Sequence, residues 1–164
     1  MSASSAVVVI PTFNEAANIA RLIPQLLELS VDLLVVDDSS TDGTPEIVSA
    51  FAKQSERVHL LSRPGKMGLG SAYREGFARL LKDEYQVIIQ MDADGSHRVA
   101  DLRRMMEFQQ DHPACDVVIG SRWIAGGAVE NWPKKRELLS RTANLYSRKL
   151  LGLKVKRSEE HTSE

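Results

Sequence analysis

The sequence predicts an α/β fold, a mainly parallel sheet flanked by helices. Short apolar runs rich in β-branched residues recur along the chain, and segments with helical spacing separate them. Parallel neighbours need crossover connections, so this alternation implies a sheet covered on both faces. The 164 residues, 43% of them apolar, suit one compact domain of ordinary size.

Five runs read as buried strands: "AVVVIP" (6–11), "DLLVVDD" (32–38), "RVHLLSR" (57–63), "YQVIIQMD" (85–92) and "CDVVIGSR" (115–122). Between them, Ile19, Leu22, Ile23, Leu26 and Leu27 recur at helical spacing, as do Leu69, Ala72, Tyr73, Phe77 and Leu80. Pro24 is expected to kink the first of these helices. There are no internal repeats and no long linker. The final "RSEEHTSE" has no periodicity and reads as a non-native tail, with a disordered native terminus as the plainer alternative; the first reading places the domain at 1–156, incomplete at its C-terminus, and the tail at 157–164.

Charge narrows the class of partner. The 21 basic and 22 acidic residues leave a net charge of -1, so no overall polycation points to nucleic acid. The distribution is uneven: Met1 to Pro133 holds 18 acidic and 12 basic residues, whereas Lys134 to Arg157 holds nine basic residues and one acid. Cys115 is the sole cysteine, which excludes an internal disulfide and fits a reducing compartment. No apolar run approaches ~20 residues, and "MSASS" has no basic leader.

In open α/β sheets, ligands bind outside the carboxyl ends of the strands. Here the strands run into "PTFNE" (11–15), Asp37 and Asp38, Arg63 with "GKMGLG" (65–70), Asp92 and Asp94, and Ser121 with Arg122. Each group alone has a plainer reading as a helix cap, a turn or a surface charge. The convergence of five on one edge points to a site. Residues i and i+2 of an extended chain project to one side, so Asp92 and Asp94 can face one ligand. Oxygen ligands suit Mg²⁺ or Mn²⁺, which keep water and substrate phosphates in their remaining positions. Arg122 is placed to add a charge-assisted contact to the same phosphates. "GKMGLG" matches neither the P-loop nor the dinucleotide fingerprint, but glycines opening a helix let backbone N–H groups approach an anion, with Lys66 nearby.

Taken in order, "VVVIPTFNEAANI", "LLVVDDSSTDGT", "KMGLGSAYREGF", "IIQMDADGSH" and "VVIGSRWIAGG" resemble family 2 glycosyltransferases of the polyprenyl-phosphate (dolichyl-phosphate) mannose synthase type. The resemblance covers Val7 to about Lys154. It implies a GT-A (Rossmann-like) fold and transfer of mannose from GDP-mannose to a polyprenyl or dolichyl phosphate. Position by position, it implies that Pro11, Phe13, Glu15, Val36 and Asp38 line the nucleotide pocket. Asp92, Ala93 and Asp94 would meet the diphosphate and metal, with Ser96 as a further metal ligand. Arg122 would sit by the phosphates, and Asp94 and Arg122 would carry catalysis. Family members commonly have Leu after the second aspartate, then Gln or Ser, whereas this chain has Gly95 and Ser96.

The acceptor chemistry is consistent with that implication. A sugar hydroxyl needs a general base, but a phosphate monoester is already largely anionic at neutral pH and attacks unaided. No compelling base stands out in residues 100–156. The basic stretch 134–152 sets Leu139, Ala143, Tyr146 and Leu150 near one helical face, with Arg141, Arg148 and Lys149 available to anionic head groups. A core-packed helix with a solvated basic face is the alternative. The expected location is the cytoplasmic face of a membrane, peripheral or anchored through sequence beyond this fragment. Two rivals keep the fold: another nucleotide sugar or a hydroxyl acceptor, and a non-catalytic nucleotide-sugar-binding fragment. "DADGS" also resembles the nucleophile loop of haloacid-dehalogenase-type phosphatases, but that loop follows an early strand and here three strands precede it.

Overall fold

The computed structural model describes residues 5–120. Residues 5–104 belong to one unit and 105–120 to a second. The fifth strand's last residues, Arg122, the basic stretch and the C-terminal tail lie outside the described residues.

Four strands form a parallel sheet: β1 (Ala6–Thr12), β2 (Asp32–Asp37), β3 (Val58–Ser62) and β4 (Val87–Gln90), in the order β3-β2-β1-β4. They alternate with α1 (Ala16–Leu27), α2 (Thr44–Gln54), α3 (Leu69–Leu80) and α4 (Val99–Asp111). Register places Thr12 beside Asp37 and Asp37 beside Ser62, so these three strands end level. Val9 pairs with Gln90, and the Met91 N–H continues that ladder to the Val9 carbonyl at 3.2 Å.

Connection handedness explains the layers. The β1-α1-β2 and β2-α2-β3 crossovers move along the sheet in one direction, and β3-α3-β4 returns in the other. Right-handed crossovers therefore place α3 on the face opposite α1 and α2. Val7, Val9, Leu34 and Val36 meet Ala72 and Leu80 of α3 in one buried cluster. Side-chain alternation turns the equally buried Val8, Ile10, Leu33 and Val35 to the other face, where Ile19, Ile23 and Leu26 of α1 are also buried. Both central strands are apolar on two faces, which accounts for their continuous rather than alternating hydrophobic runs.

Gly76 sets how closely α3 approaches the sheet. A Cβ there would stand 2.8 Å from Val9 Cγ1 and 3.3 Å from Val36 Cγ2, inside normal contact, so only glycine fits. At the C-terminal end of α1, Arg57 closes the helix by donating to the carbonyls of Leu27 at 2.7 Å and Leu29 at 2.8 Å. The helix continues past the exposed Pro24 to Leu27.

Two expectations change. Residues 115–120 form no strand, and Val117 and Ile119 of that run are exposed, because no ladder partner for them lies among the described residues. Leu69, counted with the apolar stripe of α3, is 56% exposed: it is the first helical residue and lies beyond the sheet surface that buries Ala72, Gly76 and Leu80. In the second unit, Phe108 and His112 stack one helical turn apart with ring centroids 4.1 Å apart. Among the described residues, no helix is long and apolar enough to cross a membrane.

Candidate functional site

The strand order reverses between β1 and β4, since the chain builds outward from β1 to β3 and then returns to β1's free side. Carboxyl ends flanking such a switch point open a crevice, because the loops beyond them diverge to opposite faces. Loop 13–15 leaves β1 there and loop 91–98 leaves β4 there. Loops 38–43 and 63–68 follow β2 and β3 along the same edge.

The first two loops are joined by side-chain to backbone bonds. Asp37, 1% exposed, accepts from the Thr12 hydroxyl at 2.8 Å, the Ser40 hydroxyl at 2.6 Å and the Ser40 N–H at 2.9 Å. Ser40 Oγ accepts the Asn14 N–H at 2.8 Å, and Asn14 Oδ1 accepts the Thr41 N–H at 2.9 Å. Asn14 and Ser39 adopt φ of 58° and 57°, a conformation costly for residues with a Cβ; Asn14 is held by these bonds, and Ser39 by its hydroxyl, which donates to the Arg63 carbonyl at 2.6 Å. Glu15 presents its N–H to Thr44 Oγ1 at 3.0 Å, and its carboxylate accepts from Asn18 at 2.6 Å. Asp42 accepts the Ala16 N–H at 2.9 Å, so a carboxylate from the second loop satisfies an orphan donor at the start of α1. Its pKa is lowered, first by the Thr44 hydroxyl and then by the Ala16 N–H.

A buried node fixes the third loop. Arg63 Nη1 lies 2.7 Å from Asp38 Oδ1, with both side chains nearly excluded from solvent. The second Asp38 oxygen accepts the Met67 N–H at 2.9 Å. Arg63 Nη2 donates to the Ser71 hydroxyl, which in turn donates to the carbonyl of Met67 at 2.8 Å. Arg63 Nε stands 3.0 Å from Glu75 Oε2, yet it is a buried N–H without an aligned acceptor. That contact is therefore an ion pair with a half-exposed partner, weaker than the bond to Asp38. Lys66 sits 4.1 Å from the centroid of the Phe13 ring, a cation–π contact between the first and third loops.

The acidic turn lies just past β4. Asp92 is half-buried, Ala93 buried and Asp94 exposed, so alternation persists although the strand has ended at Gln90. Tyr73 of α3 donates its hydroxyl to Asp92 Oδ1 at 2.8 Å. Burial first, then this bond and the negative charges of Asp92 and Asp94, push the phenol's pKa well above its ordinary value. The Asp92 N–H donates to His97 Nδ1 at 3.0 Å, which requires that ring nitrogen to be unprotonated. Asp94 Oδ1 accepts the Ser96 N–H at 2.9 Å, and Gly95 between them takes φ 78°, a left-handed geometry that glycine adopts freely.

The edge thus collects Pro11, Phe13, Glu15, Asp38, Asp92, Ala93, Asp94 and Ser96. Phe13 is exposed and Glu15 partly so, whereas the Val36 side chain is fully buried beneath α3 and Asp38 is engaged through both oxygens. Arg122 lies outside the described residues. Among the described residues, no group of three or more His, Cys, Asp or Glu could hold a metal ion. Asp92 and Asp94 offer only carboxylate oxygens, the donor type that suits Mg²⁺ or Mn²⁺ where phosphate oxygens and water complete the coordination. The roles of Arg63, Thr12, Ser40, Tyr73 and His97 escape sequence reasoning. Arg63 reads only as one more polar group after a strand and Tyr73 as a core-facing helix residue; the signal for each is a partner far away in sequence.

The fold and site define an α/β domain whose parallel sheet carries an acidic turn at its switch point, and sequence relatives give its family. The glycosyl transferase family 2 model matches residues 7–161, and the chain belongs to that family, with a GT-A-like fold. It is 43% identical over 151 residues to a polyprenol monophosphomannose synthase of Mycolicibacterium smegmatis, covering 90% of this chain and 56% of that protein. It is 41% identical over 149 residues to an undecaprenyl-phosphate mannosyltransferase of Micrococcus luteus, covering 90% of this chain and 60% of that one. A dolichol-phosphate mannosyltransferase of Pyrococcus furiosus is 35% identical over 145 residues, 86% of this chain and 40% of that protein. The chain therefore spans between 40% and 60% of the lengths of these relatives. Among solved structures, a mannosyltransferase from Pyrobaculum calidifontis in complex with GDP-Man and Mn²⁺ aligns with a TM-score of 0.48 and 26% identity. That alignment covers 57% of this chain and 28% of that one.

Proposed function

We propose that the protein transfers mannose from GDP-mannose to a polyprenyl or dolichyl phosphate, with inversion, at the cytoplasmic face of a membrane. The observation that carries this reading is the acidic turn at the β1/β4 switch point, in a family 2 chain whose relatives are named for lipid-phosphate mannose transfer. A non-bridging oxygen of the acceptor phosphate attacks the anomeric carbon, the bond from that carbon to the GDP oxygen breaks, and GDP departs with the electron pair. The acceptor oxygen is already anionic at neutral pH, so no base is required. Attack in line with the departing group inverts the anomeric centre.

The chain's contribution is positioning and charge. Asp92 and Asp94, with Ser96 beside them, would hold Mg²⁺ or Mn²⁺; when bound, the ion supplies neutralisation of the diphosphate as it leaves. Ala93, buried between the two aspartates, anchors the turn. Pro11, Phe13 and Glu15 border the nucleotide, and Asp38, locked by Arg63, shapes the far wall with Val36 beneath it. Arg122 is assigned to the phosphates and the basic segment 134–152 to the lipid head group and membrane surface.

The test is product formation. The full chain is incubated with GDP-mannose, Mn²⁺ or Mg²⁺ and polyprenyl phosphate in detergent. Lipid-extractable mannose and stoichiometric GDP are expected. Folded protein that yields neither would refute the substrate assignment, and mannose appearing on a hydroxyl acceptor would redirect it.

A further inference from the structure

Tyr73 has no part in the mechanism above, but its surroundings give it one. The residue lies in the second turn of α3, on the face that carries the buried cluster, with the Phe77 ring 6.0 Å away. Packing would be satisfied equally by phenylalanine. The hydroxyl instead reaches the acidic turn and donates to Asp92 Oδ1 at 2.8 Å, linking two segments 19 positions apart. Asp92 is held from a second side as well, through its N–H and His97 Nδ1.

A carboxylate at the end of a short side chain has several accessible rotamers, and a cation must otherwise select one at an entropic cost. A neutral donor on one oxygen selects a rotamer without cancelling the charge. It also leaves one oxygen for the ligand, so Asp92 would act as a monodentate ligand. Outer partners of this kind tune metal sites: they orient ligands, and losing one commonly weakens metal binding by about 10–100-fold.

We propose that Tyr73 is a positioning residue of the acidic turn, its hydroxyl holding the Asp92 carboxylate in the orientation from which the other oxygen takes a divalent cation. This rests on the reading of Asp92 and Asp94 as a metal-diphosphate site. The link also ties α3, and with it the glycine-rich loop that opens it, to the loop after β4.

The experiment is a Mn²⁺ titration of the full chain in the presence of GDP, comparing wild type with Tyr73→Phe, Asp92→Asn and the double variant. Phe keeps the ring and its contact with Phe77, and circular dichroism and thermal melting check that the fold is retained. Tyr73→Phe should bind Mn²⁺ about tenfold more weakly. Turnover should show the same rise in the Mn²⁺ concentration needed, with the rate at saturating Mn²⁺ within about threefold of wild type. In the Asp92→Asn background the same change should have no further effect, because its only route of action is gone. Unchanged Mn²⁺ affinity in Tyr73→Phe would overturn the proposal, as would an equal loss with and without the Asp92 carboxylate. Should Asp92→Asn and Asp94→Ala both bind Mn²⁺ as wild type does, the cation-site reading itself falls and takes the proposal with it. Loss in those two variants with none in Tyr73→Phe removes the role of Tyr73 alone.

Discussion

Replacing Arg63 by methionine tests whether the ion pair beneath the glycine-rich loop holds the site edge together. Methionine keeps an unbranched apolar stem of similar reach but removes every donor. The Arg63 and Asp38 side chains are 1% and 7% exposed and meet at 2.7 Å. Losing the guanidinium strands a buried carboxylate, and breaking such a pair from one side costs about 3–5 kcal/mol. Asp38 retains the Met67 N–H, which places the expected loss near the lower end, at about 3 kcal/mol. The Glu75 contact adds less than about 1 kcal/mol, since its carboxylate is half exposed. Against a total stability of about 5–15 kcal/mol this is a large fraction. In urea unfolding, with a slope of about 1–3 kcal/mol per molar, the midpoint should fall by about 1–3 M. Asp38→Asn combined with Arg63→Met should recover part of the loss, because the orphaned charge is gone. A loss below about 1 kcal/mol for Arg63→Met, or a double variant no better than the single one, would refute the reasoning.

Gly76→Ala gains about 1 kcal/mol of helix propensity but drives a methyl group against the stiff γ-methyls of Val9 and Val36, at a cost of about 1–3 kcal/mol. The net effect should be a lower thermal midpoint, and a rise would show that α3 can lift off the sheet freely. Tyr85 donates to Asp32 at 2.8 Å, and burial first, then this bond, push its phenol from 10.0 up to about 12. The unfolded phenol loses its proton first, so the contribution is complete below pH 10 and disappears as pH rises towards 12. Urea midpoints should therefore fall more steeply with pH across that window in wild type than in Tyr85→Phe; parallel slopes would contradict the assignment. Asp94→Ala, at an exposed position, should keep the melting temperature within a few degrees while removing metal-dependent turnover. Retained turnover would take Asp94 out of the mechanism.

The layers were legible because both central strands are buried on two faces and therefore appear as near-continuous apolar runs, and because α1 carries four buried residues at helical spacing. The edge that gathers polar groups was legible for the same reason: in a parallel sheet, each strand's C-terminal residues land together. What lies between those groups was not. Nothing local to Arg63 says that its guanidinium folds onto Asp38, 25 positions earlier, and nothing local to Tyr73 separates a phenylalanine's task from a donor's. Asp37 and Asp38 look alike in sequence, yet Asp37 ties loop to loop through Thr12 and Ser40 while Asp38 anchors Arg63. Gly76 resembles any helical glycine until the distance to Val9 is known. The run 115–122 had the composition of a strand, but composition does not supply a partner, and residues 115–120 form none.

The proposed transfer requires the turn at Asp92 and Asp94 to join a divalent cation to the nucleotide diphosphate. Calorimetric titration of the full chain with GDP, with Mn²⁺ and then with the metal chelated, tests it most directly. Wild type should bind GDP at least about tenfold more tightly with Mn²⁺, a difference of about 1.4 kcal/mol, and Asp94→Ala should lose that difference. Equal GDP affinity with and without Mn²⁺ in the wild-type protein, or an undiminished Mn²⁺ effect in Asp94→Ala, would contradict the account.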